Sequence, residues 1–178
     1  MTQREVWDAY DAEGNKLGFD LYRDEADKIP FGAYHIVVEI YTVTKDNEVL
    51  TTRRHPDKGW GLKWEITDGS ALKGETPEQG ALRELREETG VVVKAEDLRL
   101  VYSLYSRDEN ALYYCYLAII DKANQTFRLQ EGETVDYRFL PYTEFKAFVH
   151  TEKYAPPVRE RFLAHEELFD RMILFRAK

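Results

Sequence analysis

Gly69-Ser-Ala-Leu-Lys-Gly-Glu75-Thr-Pro-Glu-Gln-Gly-Ala-Leu-Arg83-Glu84-Leu85-Arg-Glu87-Glu88-Thr-Gly90-Val91 is the stretch on which the reading of this chain turns. Thr76 can cap a helix, Pro77 suits its first position and Gln79 its third, so a capping box opens it. Gly90 supplies the left-handed residue that closes it. At about 100° per residue, Ala81, Leu82, Leu85 and Thr89 line one stripe, while Glu84, Glu87 and Glu88 gather on the opposite side. The spacing predicts a helix over 76–89 with one face for the core and one presenting three carboxylates. Such like charges repel by a few tenths of a kcal/mol per pair, and Arg83 and Arg86 alone offset this. A cation is therefore expected there. Oxygen ligands with no interleaved Cys or His favour Mg²⁺, or Mn²⁺, over zinc. A solvated acidic face is the competing reading.

Working outward, Val6–Asp20 alternates about the turn cluster Asp11–Asn15 and predicts a hairpin, followed by a charged link over 24–28. His35–Val43 is rich in β-branched and aromatic residues and reads as a strand buried on both faces. Further strands are expected at Glu48–Arg53, Trp60–Ile66, Arg99–Ser106, Ala111–Ile120, Phe127–Leu129 and Thr134–Leu140. Helices are expected at Tyr142–His150 and, after Pro156-Pro157, at Val158–Phe175. Without repeats, low-complexity segments or a linker, the pattern gives one α/β domain, a sheet between helices.

Composition narrows the partners. Thirty-three acidic residues against 25 Lys and Arg give a formal charge of −8, which repels nucleic acid polymers and anionic membranes. A small phosphate ligand then needs a local cation, and Arg53 and Arg54, with His55 and Lys58, could clamp one; a solvated loop is the alternative. Cys115, the single cysteine, reads as a buried core thiol. The polar, acidic stretch Met1–Asp11 and the lack of a long apolar run point to a cytoplasmic protein.

The quoted stretch resembles the Nudix box, G-x5-E-x7-R-E-U-x-E-E-x-G-U with U aliphatic, at all nine specified positions: Gly69, Glu75, Arg83, Glu84, Leu85, Glu87, Glu88, Gly90 and Val91. The resemblance implies an α/β/α sandwich with a mixed central sheet, its core about 31–148, an N-terminal hairpin extension over 1–30 and a C-terminal helical segment over 149–178. It implies a pyrophosphohydrolase that splits a nucleoside diphosphate-type or other small organic diphosphate. Glu84, Glu87, Glu88 and the Gly69 carbonyl would hold Mg²⁺ or Mn²⁺, Arg83 would orient Glu87, and Glu75 would be auxiliary. The family's base often lies outside the box, and Glu133, with Glu131 second, is the candidate; a solvated turn glutamate is the other reading. Many members carry Gly-Gly where this chain has Asp68-Gly69, which adds a carboxylate near the cation.

Two other functions compete. Glu5–Asp11 with Gly18, and Gly32–His35 entering a strand, look like the start of isopentenyl diphosphate isomerase, in which the strand histidine binds metal. Ile66–Ser70 holds neither Cys nor His, so the acid expected for alkene protonation is missing and His35 reads as a strand-end residue. A catalytically silent binding module would normally lose a box carboxylate, and none is lost. Phe31, Tyr34, Trp60 and Tyr105 are candidates for stacking on a base, although aromatic residues on strands are usually core. Residues 142–178 are expected to pack on the core, shape the pocket or form a homodimer surface.

Overall fold

The computed structural model describes residues 4–175; residues 1–3 and 176–178, the tips of the two expected extensions, lie outside the described residues. A hairpin of β1 (Val6–Tyr10) and β2 (Lys16–Tyr22) opens the chain. Its turn is held by the Asp11 carboxylate, which accepts from the backbone N–H of Glu13 and Asn15. The charged link that follows is a 3₁₀ turn over Arg23–Lys28. Next come β3 (His35–Thr44), β4 (Glu48–Arg54), β5 (Trp64–Glu65), β6 (Thr67–Ser70), α1 (Pro77–Thr89), β7 (Leu98–Ser106), β8 (Ala111–Ile120), β9 (Thr134–Pro141), α2 (Tyr142–Val149), α3 (Pro156–Ala164) and α4 (Glu166–Leu174).

β3 is the spine of a seven-stranded mixed sheet. One edge pairs in parallel with β8 from His35↔Ala111 to Thr44↔Ile120; the other pairs antiparallel with β6 and then β4. Successive residues of a strand face opposite sides, and here apolar residues line both, with the buried Glu39 on one side held by Arg161 and Tyr102. Ile36, Val38 and Ile40 pack with Ala81 and Leu85 of α1. Tyr41 and Val43 pack with Phe145, Phe162, Phe169 and Ile173 of the C-terminal helices. The result is the expected α/β/α sandwich. Among the described residues no helix is long and apolar enough to cross a membrane.

Three expectations are corrected. Trp60–Ile66 is a strand only at Trp64–Glu65, because Trp60 and Leu62 adopt left-handed φ of 57° and 64° and Gly61 is pressed against the Pro56 backbone. The apolar pattern there belongs to a tight turn with an exposed Trp60. Val158–Phe175 divides at His165, whose ring stacks on Tyr102 at 3.8 Å and whose break lets Phe162 and Phe169 both reach Tyr41. Phe127–Leu129 forms no strand. This segment instead crosses the end of α1, where the Arg128 and Gln130 N–H groups donate to the last helical carbonyls, those of Thr89 and Glu88.

That crossing depends on Gly90. Its φ is +78°, and a β-carbon there would sit 2.6 Å from the Thr126 carbonyl oxygen and 2.8 Å from Arg128 N. Gly90→Ala should therefore cost about 1–3 kcal/mol, from a strained backbone and a displaced crossing segment. Denaturant unfolding checks this, and a loss below a few tenths of a kcal/mol would contradict the close approach.

Candidate active site

α1 starts as the sequence requires. Thr76 Oγ1 accepts from Gln79 N, the Gln79 side chain accepts from Thr76 N, and the loop before it turns Glu75 inward. Glu75 then meets Arg83, two turns up the helix. The Arg83 guanidinium donates to both Glu75 oxygens at 2.8 and 3.0 Å, to Glu84 at 2.9 Å, to Glu87 at 3.1 Å and to the Ser70 carbonyl at 2.8 Å. These five bonds match its five N–H donors.

The three helix carboxylates do not share one solvent face as expected. Glu87 is 42% exposed, whereas Glu88 is 3% exposed. Ala81, Leu85 and Glu88 stand at i, i+4 and i+7, so position 88 belongs to the stripe that packs on the sheet. Glu88 Oε2 is buried without a hydrogen-bond partner. Burial, reinforced by Asp68 and Glu65, raises its pKa well above the usual carboxylate value against the pull of Lys58. Glu84 leans over Gly69 so closely that a β-carbon on residue 69 would collide with its carboxylate. Burial pushes Glu84 up to about 7 while Arg83 pulls it down.

A cleft of about 910 Å³ collects Gly69, Arg83, Glu84, Glu87, Glu88, Arg54 and Glu133. Asp68 and Lys58 line it as well. Arg54 donates to the buried Glu65 and stands 3.7 Å from Asp68, and Lys58 pairs with Glu133. Glu65 is pushed up to about 8 by burial and by Asp68, against Arg54. Among the described residues no three Asp, Glu, His or Cys side chains stand close enough to hold an ion as they are. In this arrangement Arg83 occupies Glu84 and Glu87.

Other expected residues lie elsewhere. Arg53 does not line the cleft; its Nε donates to the Leu62 carbonyl. Glu75 sits behind Arg83, and Glu131 is exposed outside the cleft. Phe31, Tyr34, Trp60 and Tyr105 are absent from the lining as well. Cys115 is buried on the side of the C-terminal helices.

Sequence reasoning missed Glu65 and the contribution of the hairpin. A lone carboxylate between Trp64 and Ile66 was the available signal for the first. Arg4, Glu5, Trp7 and Arg23 reach the cleft because the hairpin docks on the loop before α1, where Lys73 N donates to the Val6 carbonyl and Gly74 N to Asp8. No spacing in the sequence announces that docking. His35 also lines the cleft, stacked on Trp7 at 4.0 Å and 11°, with Nδ1 3.0 Å from the Asn110 carbonyl.

Residues 33–164 match the NUDIX domain family model. The chain is 29% identical over 154 residues to an uncharacterized Nudix hydrolase of Listeria monocytogenes, covering 85% of this chain and 89% of that relative. It is 31% identical over 109 residues to an ADP-ribose pyrophosphatase of Methanocaldococcus jannaschii, covering 58% and 63%. Its fold is similar to that of the NUDIX domain of Shewanella oneidensis NrtR complexed with ADP ribose, with a TM-score of 0.61 at 18% identity over 85% of this chain and 99% of that one.

Burial lowers the His35 pKa to about 4, below its ordinary value. A histidine with a depressed folded pKa is protonated first in the unfolded chain, so the contribution of His35 to stability is full above pH 6.5 and is lost as the pH drops toward 4. The raised Glu65 and Glu84 carboxyls, at about 8 and about 7, shift stability the other way as the pH falls. The His35 share should approach about 2–3 kcal/mol, from about 1.4 kcal/mol per pH unit, and it is read as the difference in acid response between wild type and His35→Gln. Urea unfolding at pH 7 and pH 4.5 measures it, with His35→Gln as control. An equal acid loss in that variant would remove His35 as the cause.

Proposed function

The chain belongs to the Nudix hydrolase family, and we propose that it hydrolyses the pyrophosphate bridge of a nucleoside diphosphate linked to a second group, using Mg²⁺ or Mn²⁺. The observation that carries this reading is the buried Glu88 oxygen without a partner, beside Glu84 over Gly69. A buried carboxylate oxygen is costly unless something cationic or a donor meets it. The donor set is all oxygen, so a hard divalent ion fits it. Glu84, Glu87, Glu88 and the Gly69 carbonyl are the proposed ligands, with Asp68 adding negative charge nearby.

When bound, the ion supplies charge neutralisation at the phosphates and a more acidic attacking water. The chain's own groups do the rest. Arg54 and Lys58 offer donors to phosphate oxygens from the wall facing α1, held in place by Glu65 and Glu133. Glu133 accepts the proton of the attacking water. The segment across Gly90 delivers it to the cleft, since Glu133 lies three residues past the Gln130–Glu88 contact. Arg83 holds Glu84 and Glu87 in position. The relative described as an ADP-ribose pyrophosphatase, and the structural neighbour holding ADP ribose, support a nucleoside diphosphate as the substrate class. An intact set of box carboxylates supports an enzyme over a silent binding module.

Millimolar Mg²⁺ or Mn²⁺ should raise the melting temperature by an amount equivalent to about 1–3 kcal/mol. Glu88→Gln should abolish that rise together with turnover, while leaving the metal-free protein at least as stable. Wild-type turnover in that variant, or no thermal response to any divalent ion, would sink the proposed site. Glu133→Gln should lower kcat about 10²-fold. A change within a few-fold would make Glu133 a structural partner of Lys58 and nothing more.

A further inference from the structure

The proposed phosphate and cation groups occupy only one end of the cleft. Its other wall is the N-terminal hairpin, which lies outside residues 33–164 matched by the family. This wall is fixed rather than a loose flap. Besides the Lys73 and Gly74 bonds, Tyr10 and Tyr34 exchange both backbone hydrogen bonds at 2.9 Å. At its centre Glu5 uses both oxygens: one accepts from Trp7 Nε1 at 2.8 Å, the other from Arg23 Nη1 at 2.7 Å.

The chemistry of this wall restricts what can lie against it. Trp7 is 4% exposed and its face is taken by His35, so no aromatic surface is open for stacking. The aliphatic lining, Val6, Ala26, Val37 and Leu72, is short and scattered among charged groups. That is too little for a long hydrocarbon chain. The Arg23–Glu5 pair offers a planar donor group beside an acceptor, and Arg23 is 62% exposed. Neighbouring sugar hydroxyls, each both donor and acceptor, suit such a pair. Arg23 also feels Glu133 and Glu84 across the cleft, which raise its pKa after Glu5 does, so it faces the reaction end.

We propose that the hairpin is a specificity wall, with Arg23 and Glu5 hydrogen-bonding the hydroxyls of a sugar attached to the distal phosphate. This rests on the pyrophosphohydrolase reading above. It excludes prenyl diphosphates as good substrates and makes Arg23 and Glu5 binding residues remote from the bond that breaks.

The experiment compares ADP-ribose, UDP-glucose and geranyl diphosphate, both as substrates with Mg²⁺ and in calorimetric titrations of the full-length protein. ADP-ribose or UDP-glucose should bind and turn over, with kcat/KM at least about ten-fold above geranyl diphosphate. Arg23→Ala should raise KM and Kd for the sugar compound about ten-fold, the worth of one charge-assisted hydrogen bond, with a smaller change in kcat. Glu5→Gln should weaken the same compound while leaving affinity for inorganic pyrophosphate unchanged. Melting temperatures of both variants show whether the hairpin is still docked, and Arg23→Lys, which keeps the charge without the planar fork, should restore only part of the affinity. Sugar-compound affinity unchanged in Arg23→Ala overturns the proposal, as does wild-type preference for geranyl diphosphate or failure to bind either sugar compound. Turnover of geranyl diphosphate with Mg²⁺ at a kcat/KM equal to or above that of the sugar compounds would overturn it while leaving the hydrolase reading intact; no turnover of any of the three diphosphates would sink the hydrolase reading itself.

Discussion

The Arg83 guanidinium is the tie that the cleft depends on. It joins the end of β6, through Ser70, to the loop carboxylate of Glu75 and to two carboxylates of α1, Glu84 and Glu87. A lysine at this position would carry the same charge with three donors on a single nitrogen, which cannot fork between a backbone carbonyl below and acids above. The tie also makes it possible for Gly69 to lie directly beneath Glu84, since strand end and helix are drawn to one spacing. Close approach of backbone to carboxylate then requires glycine at 69.

A second tie lies at the other end of the same helix. The last carbonyls of α1 receive N–H groups from Arg128 and Gln130, a segment far away in sequence, and Gly90 leaves the space for it. One helix therefore positions the acidic cluster along its side and, through its C-terminal end, the segment that carries Glu133 into the cleft. Lys58 and Arg54 come from the β4 side and complete the wall. Their partners, Glu133 and Glu65, hold them in place, and Glu88 Oε2 is the buried oxygen in the cleft left without a hydrogen bond.

Much of this was legible because local rules and global fold agree over 69–91. The capping box, the proline at the first turn and the left-handed glycine each have one structural meaning, and the central strand announces itself through its β-branched and aromatic residues. What was not legible involves partners distant in sequence. Phe127–Leu129 has strand composition, but its donors are claimed by the end of α1. Trp60 and Leu62 look like strand residues until the chain folds back over Pro56. Glu88 was placed with its acidic neighbours, although its spacing from Ala81 and Leu85 already put it on the buried stripe. Arg53 and Arg54 are indistinguishable in sequence, and which of the two enters the cleft depends on how β4 meets β5 and β9. The hairpin at 6–22 was visible as a hairpin, whereas its docking against the loop before α1 was not.

The sheet also has an outer rim, strand β7, which pairs with β8 on one side only. Its register slips between Leu100 and Tyr102, leaving Val101 as an extra residue in the strand. Such a bulge bends the strand and breaks the even row of backbone donors and acceptors that another strand would need in order to add on. Arg99 and Ser103, both exposed, put polar groups along the same rim. A long, largely apolar sheet of this kind carries an inherent tendency to recruit further strands, and the irregularity at Val101 works against self-templated aggregation at the edge where it would otherwise begin.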